Sequence, residues 1–177
     1  MTEYRELSIN EINIGLFRSF QRRQVVTECR RKENGKWVIK NAPFVDDWGS
    51  REYKILVNCL KNTAETGGFV CGAFVDGELK GFVSVEGTPI GSRLQYMDLS
   101  SIHVSQDMRG HGIGRELFSL AKSFAKKNNV KKLYISAHSA VESQAFYKAM
   151  GCIEAKEYNA EHVEREPYDC QLECEVS

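Results

Sequence analysis

Apolar residues in this chain recur first at helical and then at strand spacing, and each change of period marks an element. Ser8-Ile9-Asn10-Glu11 has the form of a capping box, and Ile12, Leu16, Phe17 and Phe20 follow at helical spacing, which predicts a helix over residues 9–20. Val25-Val26-Thr27-Glu28-Cys29 is rich in β-formers and runs into Asn34-Gly35, a pair that supplies the positive φ angles of a tight hairpin, with Trp37-Val38-Ile39 as the return strand. Residues 41–49, which include Pro43, Asp46, Asp47 and Trp48, read as a loop. Ser50 is placed to cap a helix from Arg51 to Thr63 with Tyr53, Leu56, Val57 and Leu60 as its apolar stripe.

After Gly67-Gly68 the pattern turns to strands. Phe69–Val75 and Leu79–Val85 are joined by Asp76-Gly77, and a third strand spans residues 94–104, so the three form an antiparallel meander. Ile113, Leu117, Leu120, Ala121 and Phe124 share one face of a helix over 112–127, and residues 131–136 form the next strand. A strand–helix–strand succession makes a crossover, so this strand lies parallel to the 94–104 strand. Ser139-Ala140-Val141-Glu142 is a second capping box, opening a helix that runs to Met150 and ends at Gly151. Residues 152–156 and 169–176 complete the strands, with an acidic loop carrying Glu157, Glu161, Glu164 and Glu166 between them. The predicted fold class is α/β of the α+β kind: one domain over residues 1–177, with a mixed, mostly antiparallel central sheet and flanking helices.

Composition narrows the partners. Lys plus Arg and Asp plus Glu both number 24, so nothing favours nucleic acid, and the basic cluster from Arg22 to Lys32 reads as a solvated face. There is neither a signal-peptide pattern nor an apolar run near the roughly 20 residues that span a bilayer, so no membrane partner and a cytoplasmic location are expected. The six cysteines form no CxxC and no histidine pair sits at ligand spacing; reduced thiols and no metal site are the expectation.

Candidate chemistry gathers behind the 94–104 strand. Ile102-His103-Val104 is followed by Arg109-Gly110-His111-Gly112-Ile113-Gly114, which opens a helix and so presents unblocked N–H groups of the kind that bind phosphate. The spacing is neither GxGxxG nor a P-loop. Further on, a strand and a helix carry Phe146-Tyr147 and then Gly151. These two motifs, in this context, resemble the GCN5-related N-acetyltransferase (GNAT) superfamily over about residues 68–176.

That resemblance implies an acetyl-CoA-dependent N-acetyltransferase acting on a primary amine by direct attack in a ternary complex, with acetyl-CoA as cosubstrate. The backbone of Ile102, His103 and Val104 is to pair with the pantetheine arm in a gap between the parallel strands, with a bulge near residues 99–101. The 109–114 turn, Arg109, Gly110, His111, Gly112, Ile113 and Gly114, is to cradle the diphosphate. Tyr147 is to protonate the departing thiolate. Ala140 stands where many family members carry asparagine, leaving Ser139 or Ser143 to replace that contact. The first 67 residues match only as the variable helices that shape the acceptor side. An amine of pKa ~10.4 needs deprotonation near neutrality, at a cost of roughly 4 kcal/mol. Glu86, at the end of a strand bordering the gap, is the first candidate base, with His103 and Asp98 as alternatives. The acidic residues suggest a small cationic acceptor, with a peptide amine as the competing one. A non-catalytic acyl-CoA sensor is the alternative of another class, and a homodimer is left open.

Overall fold

The structure, a computed structural model, describes residues 1–177. Its elements in chain order are β1 (Thr2–Glu6), β2 (Arg23–Glu33), β3 (Lys36–Asp47), α1 (Ser50–Glu65), β4 (Phe69–Val75), β5 (Glu78–Val85), β6 (Tyr96–Val104), α2 (Ile113–Lys127), β7 (Lys132–Ala137), α3 (Val141–Ala149), β8 (Ile153–Glu154), α4 (Ala160–Arg165) and β9 (Cys170–Glu175). Seven strands form one sheet in the order β1-β4-β5-β6-β7-β9-β8, while β2 and β3 pair only with each other. The expected mixed sheet is there: β4, β5 and β6 are an antiparallel meander, and β6 and β7, linked through α2, run parallel.

Strand alternation divides the core between the two faces of the sheet. On one face Val83, Val85, Met97 and Leu99 meet Ile113, Leu117, Phe118 and Ala121 of α2. On the other, Val70, Phe74 and Phe82 meet Leu56, Val57 and Leu60 of α1 together with Phe17 and Phe20. Gly81 lets α2 lie against β5, since a Cβ there would stand 2.7 Å from Ile113 Cγ2.

The N-terminal third departs from the pattern reading. The helix expected over 9–20 is two 3₁₀ turns, Ile9–Glu11 and Ile14–Phe17; the Asn13 side chain accepts from Leu16 N at 3.2 Å and starts the second turn where the first would have continued. The expected loop over 41–49 is mostly strand, because β3 pairs with β2 as far as Arg23↔Asp47. Pro43 is tolerated because the register slips between Val26 and Glu28, so it falls at a bulge where no ladder N–H is required. Gly49, not Ser50, caps α1, with its N–H donating to Glu52 Oε2 at 2.9 Å. The hairpin expected around Asn34-Gly35 is there but longer at both ends, β1 is an unexpected edge strand, and α1 is the one long helix of this third.

Two C-terminal expectations also change. Ser139 does not cap α3; the cap position is Ala140, and the Ser139 hydroxyl accepts from Arg31 Nη1 at 2.7 Å. The acidic loop contains α4, capped by Asn159, whose side chain accepts from His162 N at 3.0 Å.

Candidate active site

The sheet opens beside its central strand. β6 pairs with β7 only from Tyr96↔Lys132 to Asp98↔Tyr134, yet stays paired with β5 as far as Val104. Meanwhile β7 follows β9 to Ala137↔Cys170. At the parting, Ser84 faces Ser101 and Val85 faces Leu99, so Ser100 is the extra residue of a bulge. That is where the sequence reading put it. Past Asp98, the edge of β6 toward β7 has no strand beside it.

A cavity of about 620 Å³ occupies this opening. Ile102, His103 and Val104 line it from β6, Ser143 and Tyr147 from α3, and Arg109, Gly110, Gly112, Ile113 and Gly114 from the turn into α2. Gly110 and Gly112 have φ of 81° and 82°, a left-handed conformation that side chains resist. Every backbone N–H from Gly110 through Arg115 lacks an acceptor within the chain. Such a run at a helix N-terminus, flanked by the Arg109 guanidinium, is built for an anion. Of the predicted site residues, three lie outside this lining. His111 folds back, its Nδ1 3.1 Å from Arg109 O. Ser139 is held by Arg31. Glu86 continues the Phe82–Ser84 side of β5 toward α1, where Thr63 donates to it at 2.9 Å and Ser100 also bonds it.

Tyr147 is buried, and burial raises its phenol well above the usual range, so it is protonated at neutral pH. Its electrostatic neighbours include Asp169 and Arg22. His103 is driven the other way: burial first and Arg22 second hold its pKa well below the ordinary value, leaving a neutral ring. Its Nδ1 accepts from Arg22 Nε at 3.0 Å, and its ring stands edge-on to Trp48 at 5.0 Å. Burial likewise pushes the Cys71 and Cys170 thiols up to about 11, as expected of inert core cysteines.

The sequence reading missed Arg22. It is 5 % exposed, lies over Trp48 and gives Nη2 to Asp46 at 3.2 Å; its Nη1 has no partner, and the side chain lines the cavity. The only sequence signal was a basic cluster, which its neighbours share. What brings Arg22 in is the path of β2. Gln106 N donates to Gln21 O at 2.9 Å and Arg30 N to Ser139 O at 2.8 Å, so β2 bridges from the end of β6 to the start of α3. Gln24 Nε2 donates to Ser143 Oγ at 3.2 Å on the way. No group of three or more His, Cys, Asp or Glu is placed to hold a metal ion, and no helix is long and apolar enough to cross a membrane.

A sheet parted beside a glycine-rich helix start defines a class of site that takes an extended ligand along a free strand edge with an anion at one end. The sequence model described as the Acetyltransferase (GNAT) family matches residues 34–152, and the chain belongs to that family. Comparison with curated proteins finds no match. Among solved structures, nourseothricin acetyltransferase is similar over 99% of both chains, with a TM-score of 0.72 at 15% identity. A protein assigned as a streptothricin acetyltransferase from Bacillus anthracis, solved with acetyl coenzyme A, is similar over 98% of this chain and 96% of its own, with a TM-score of 0.70 at 15% identity. An aminoglycoside 6′-N-acetyltransferase with coenzyme A is similar over 73% and 82%, with a TM-score of 0.54 at 14% identity.

Proposed function

We propose that this protein is an N-acetyltransferase that moves the acetyl group of acetyl-CoA to a small cationic amine by direct attack. The observation that carries the reading is the unbroken run of unpartnered N–H groups from Gly110 to Arg115 at the rim of the cavity beside the free edge of β6. The diphosphate lies on the turn, and the pantetheine extends the sheet along Ile102–Val104. The backbone at Ile102 polarises the thioester carbonyl, with Arg22 Nη1 as a second donor. Tyr147, kept neutral by burial, gives its proton to the thiolate.

Support for a cationic acceptor comes from the carboxyls left over once internal pairs are formed. Asp46 belongs to Arg22, and Glu157 is taken up by Ser92 and Gln95. Asp98 meets His162 through Oδ2 but keeps Oδ1 without a partner, and Glu142 of α3 lines the cavity with no ion pair. The proteins that share the fold include acetyltransferases named for nourseothricin, streptothricin and an aminoglycoside, and the last is named as an N-acetyltransferase.

The test is release of thiol from acetyl-CoA by the purified protein across monoamines, polyamines, aminoglycosides and short peptides. Transfer to a polycationic amine, with an acceptor KM that rises with salt, is the expected result. A Gly112→Trp variant should lose acetyl-CoA binding, measured by calorimetry; a Cβ built there meets no protein atom within 4 Å, so the cost to the fold is the local strain of a side chain at φ 82°, checked by thermal melting. Binding as tight as that of the parent protein would remove the turn from the site.

A further inference from the structure

On the opposite face from α2, a second arrangement meets the parting of the strands. Met97 and Leu99 join the core under α2, so the intervening Asp98 points to the far side, and Asp98↔Tyr134 is the last rung before β6 and β7 separate. Asp98 is 9 % exposed. His162 of α4 meets its Oδ2 through Nε2 at 2.7 Å, while Oδ1 has no partner at all. A buried carboxylate oxygen left unbonded is costly unless something polar arrives to meet it.

The imidazole is fixed more firmly than a surface side chain needs to be. Its ring is stacked on Tyr134 at 5.6 Å and 18°. Tyr134 is held in turn by Gln171 and by Asn159 N, whose side chain caps the helix that carries His162. With Nε2 on Asp98, Nδ1 is the free nitrogen, and it has no hydrogen bond within the chain. Asp98 ends the rungs that β6 shares with β7, so the pair sits where the strands part, on the far side from α2 and behind the cavity lining rather than in it.

We infer that His162 is the general base for the acceptor amine, with Asp98 as the positioning residue that sets its tautomer. The inference rests on the acetyl-transfer reading above. Asp98 holds the proton on Nε2 and leaves the Nδ1 lone pair free. The acceptor arrives as R–NH₃⁺ and gives one proton to Nδ1, which passes it to solvent. The nitrogen lone pair forms the N–C bond, the C–S bond breaks with its pair on sulfur, and Tyr147 protonates the thiolate. The amine's second proton restores the phenol. The sum is R–NH₃⁺ plus acetyl-CoA giving R–NH–COCH₃, CoA–SH and H⁺. The groups facing His162 are Asp98 from β6, Tyr134 from β7, Asp169 ahead of β9 and Arg165 on its own helix. The Asp98 bond outweighs burial and raises the imidazole pKa, so the base becomes competent only as pH climbs through that raised value.

The experiment is the pH profile of kcat/KM for the best amine of the panel, in the parent protein, His162→Gln and Asp98→Asn, with thermal melting and acetyl-CoA affinity as checks on folding. His162→Gln should lose about 10²–10⁴-fold in kcat/KM and its acid limb, with acetyl-CoA affinity unchanged. Asp98→Asn should move the acid limb to lower pH, which a merely structural carboxyl would not do, and this variant decides the matter if His162→Gln fails to fold. A parent-like rate and profile in either variant would overturn the base while leaving acetyl transfer standing. A parent protein that binds acetyl-CoA but acetylates no amine would overturn the transfer reading and the base together.

Discussion

On the proposed reading Tyr147 and the turn glycines act on different steps, and single substitutions separate them. The phenol is needed only when sulfur departs, so Tyr147→Phe should lower kcat by about 10²-fold and leave the KM for acetyl-CoA nearly unchanged in steady-state assays. Gly110 has φ of 81° with open space around a built Cβ, so Gly110→Ala carries backbone strain without a clash. It should cost about 1–2 kcal/mol in urea titrations, or leave a relaxed turn that binds acetyl-CoA more weakly. Arg22 differs from both. Four of its neighbours, His103, Gln24, Asp46 and Trp48, hold its position, and one nitrogen is left over, an arrangement more usual for a ligand contact than for a core ion pair.

At the scale of elements, Glu173 of β9 is a buried tie between neighbours. It accepts from Lys132 Nζ of β7 at 2.8 Å, from the Tyr96 hydroxyl of β6 and from Lys156 N at 3.2 Å. Glu173→Ala leaves Lys132 and Tyr96 without their partner and should cost about 3–5 kcal/mol by chemical denaturation, with Glu173→Gln milder. Elements were legible in the sequence wherever periodicity and local punctuation agreed. The Asp76-Gly77 hairpin, the amphipathic α2 and the crossover to β7 rest on local signals and formed as read. In the first 47 residues the Asn34-Gly35 hairpin formed as read, but residues 9–20 and 41–47 were not legible, because the decisive facts there are non-local. Asn13 restarts a turn that apolar spacing alone would continue, and Pro43 is permitted only by a bulge in the partner strand. The turn from Arg109 to Gly114 formed as read because glycines and the start of α2 specify it locally. Arg22 reaches the cavity and His162 reaches Asp98, a residue the sequence reading had named, from distant segments that no spacing in one sequence brings together.

For the molecule as a whole, pH acts on the C-terminal segment through two groups that titrate in the same sense. Burial raises the Asp169 carboxyl to about 6, so the folded state holds that proton more tightly than the unfolded chain with its ordinary value of 3.8. Stability from this group is therefore lost as pH rises from about 4 through 6. His162, raised by Asp98, stabilises below its unfolded pKa near 6.5 and gives up that contribution as pH climbs through its folded value. Asp169→Asn should accordingly melt higher than the parent protein at pH 8 and match it near pH 3.5, read by thermal melting at the two pH values. The hairpin of β2 and β3 has a different bearing. It closes one wall of the cavity yet shares no ladder with the seven-stranded sheet, so its residues answer to no register beyond their own pairing and a few rim contacts. Apart from Gln24, Cys29, Arg31 and Asp46, which meet Ser143, Ala140, Ser139 and Arg22, its amino acids answer to few constraints outside the hairpin itself. New acceptor preferences can arise there by exchanging a single β-ribbon rather than by rebuilding the catalyst.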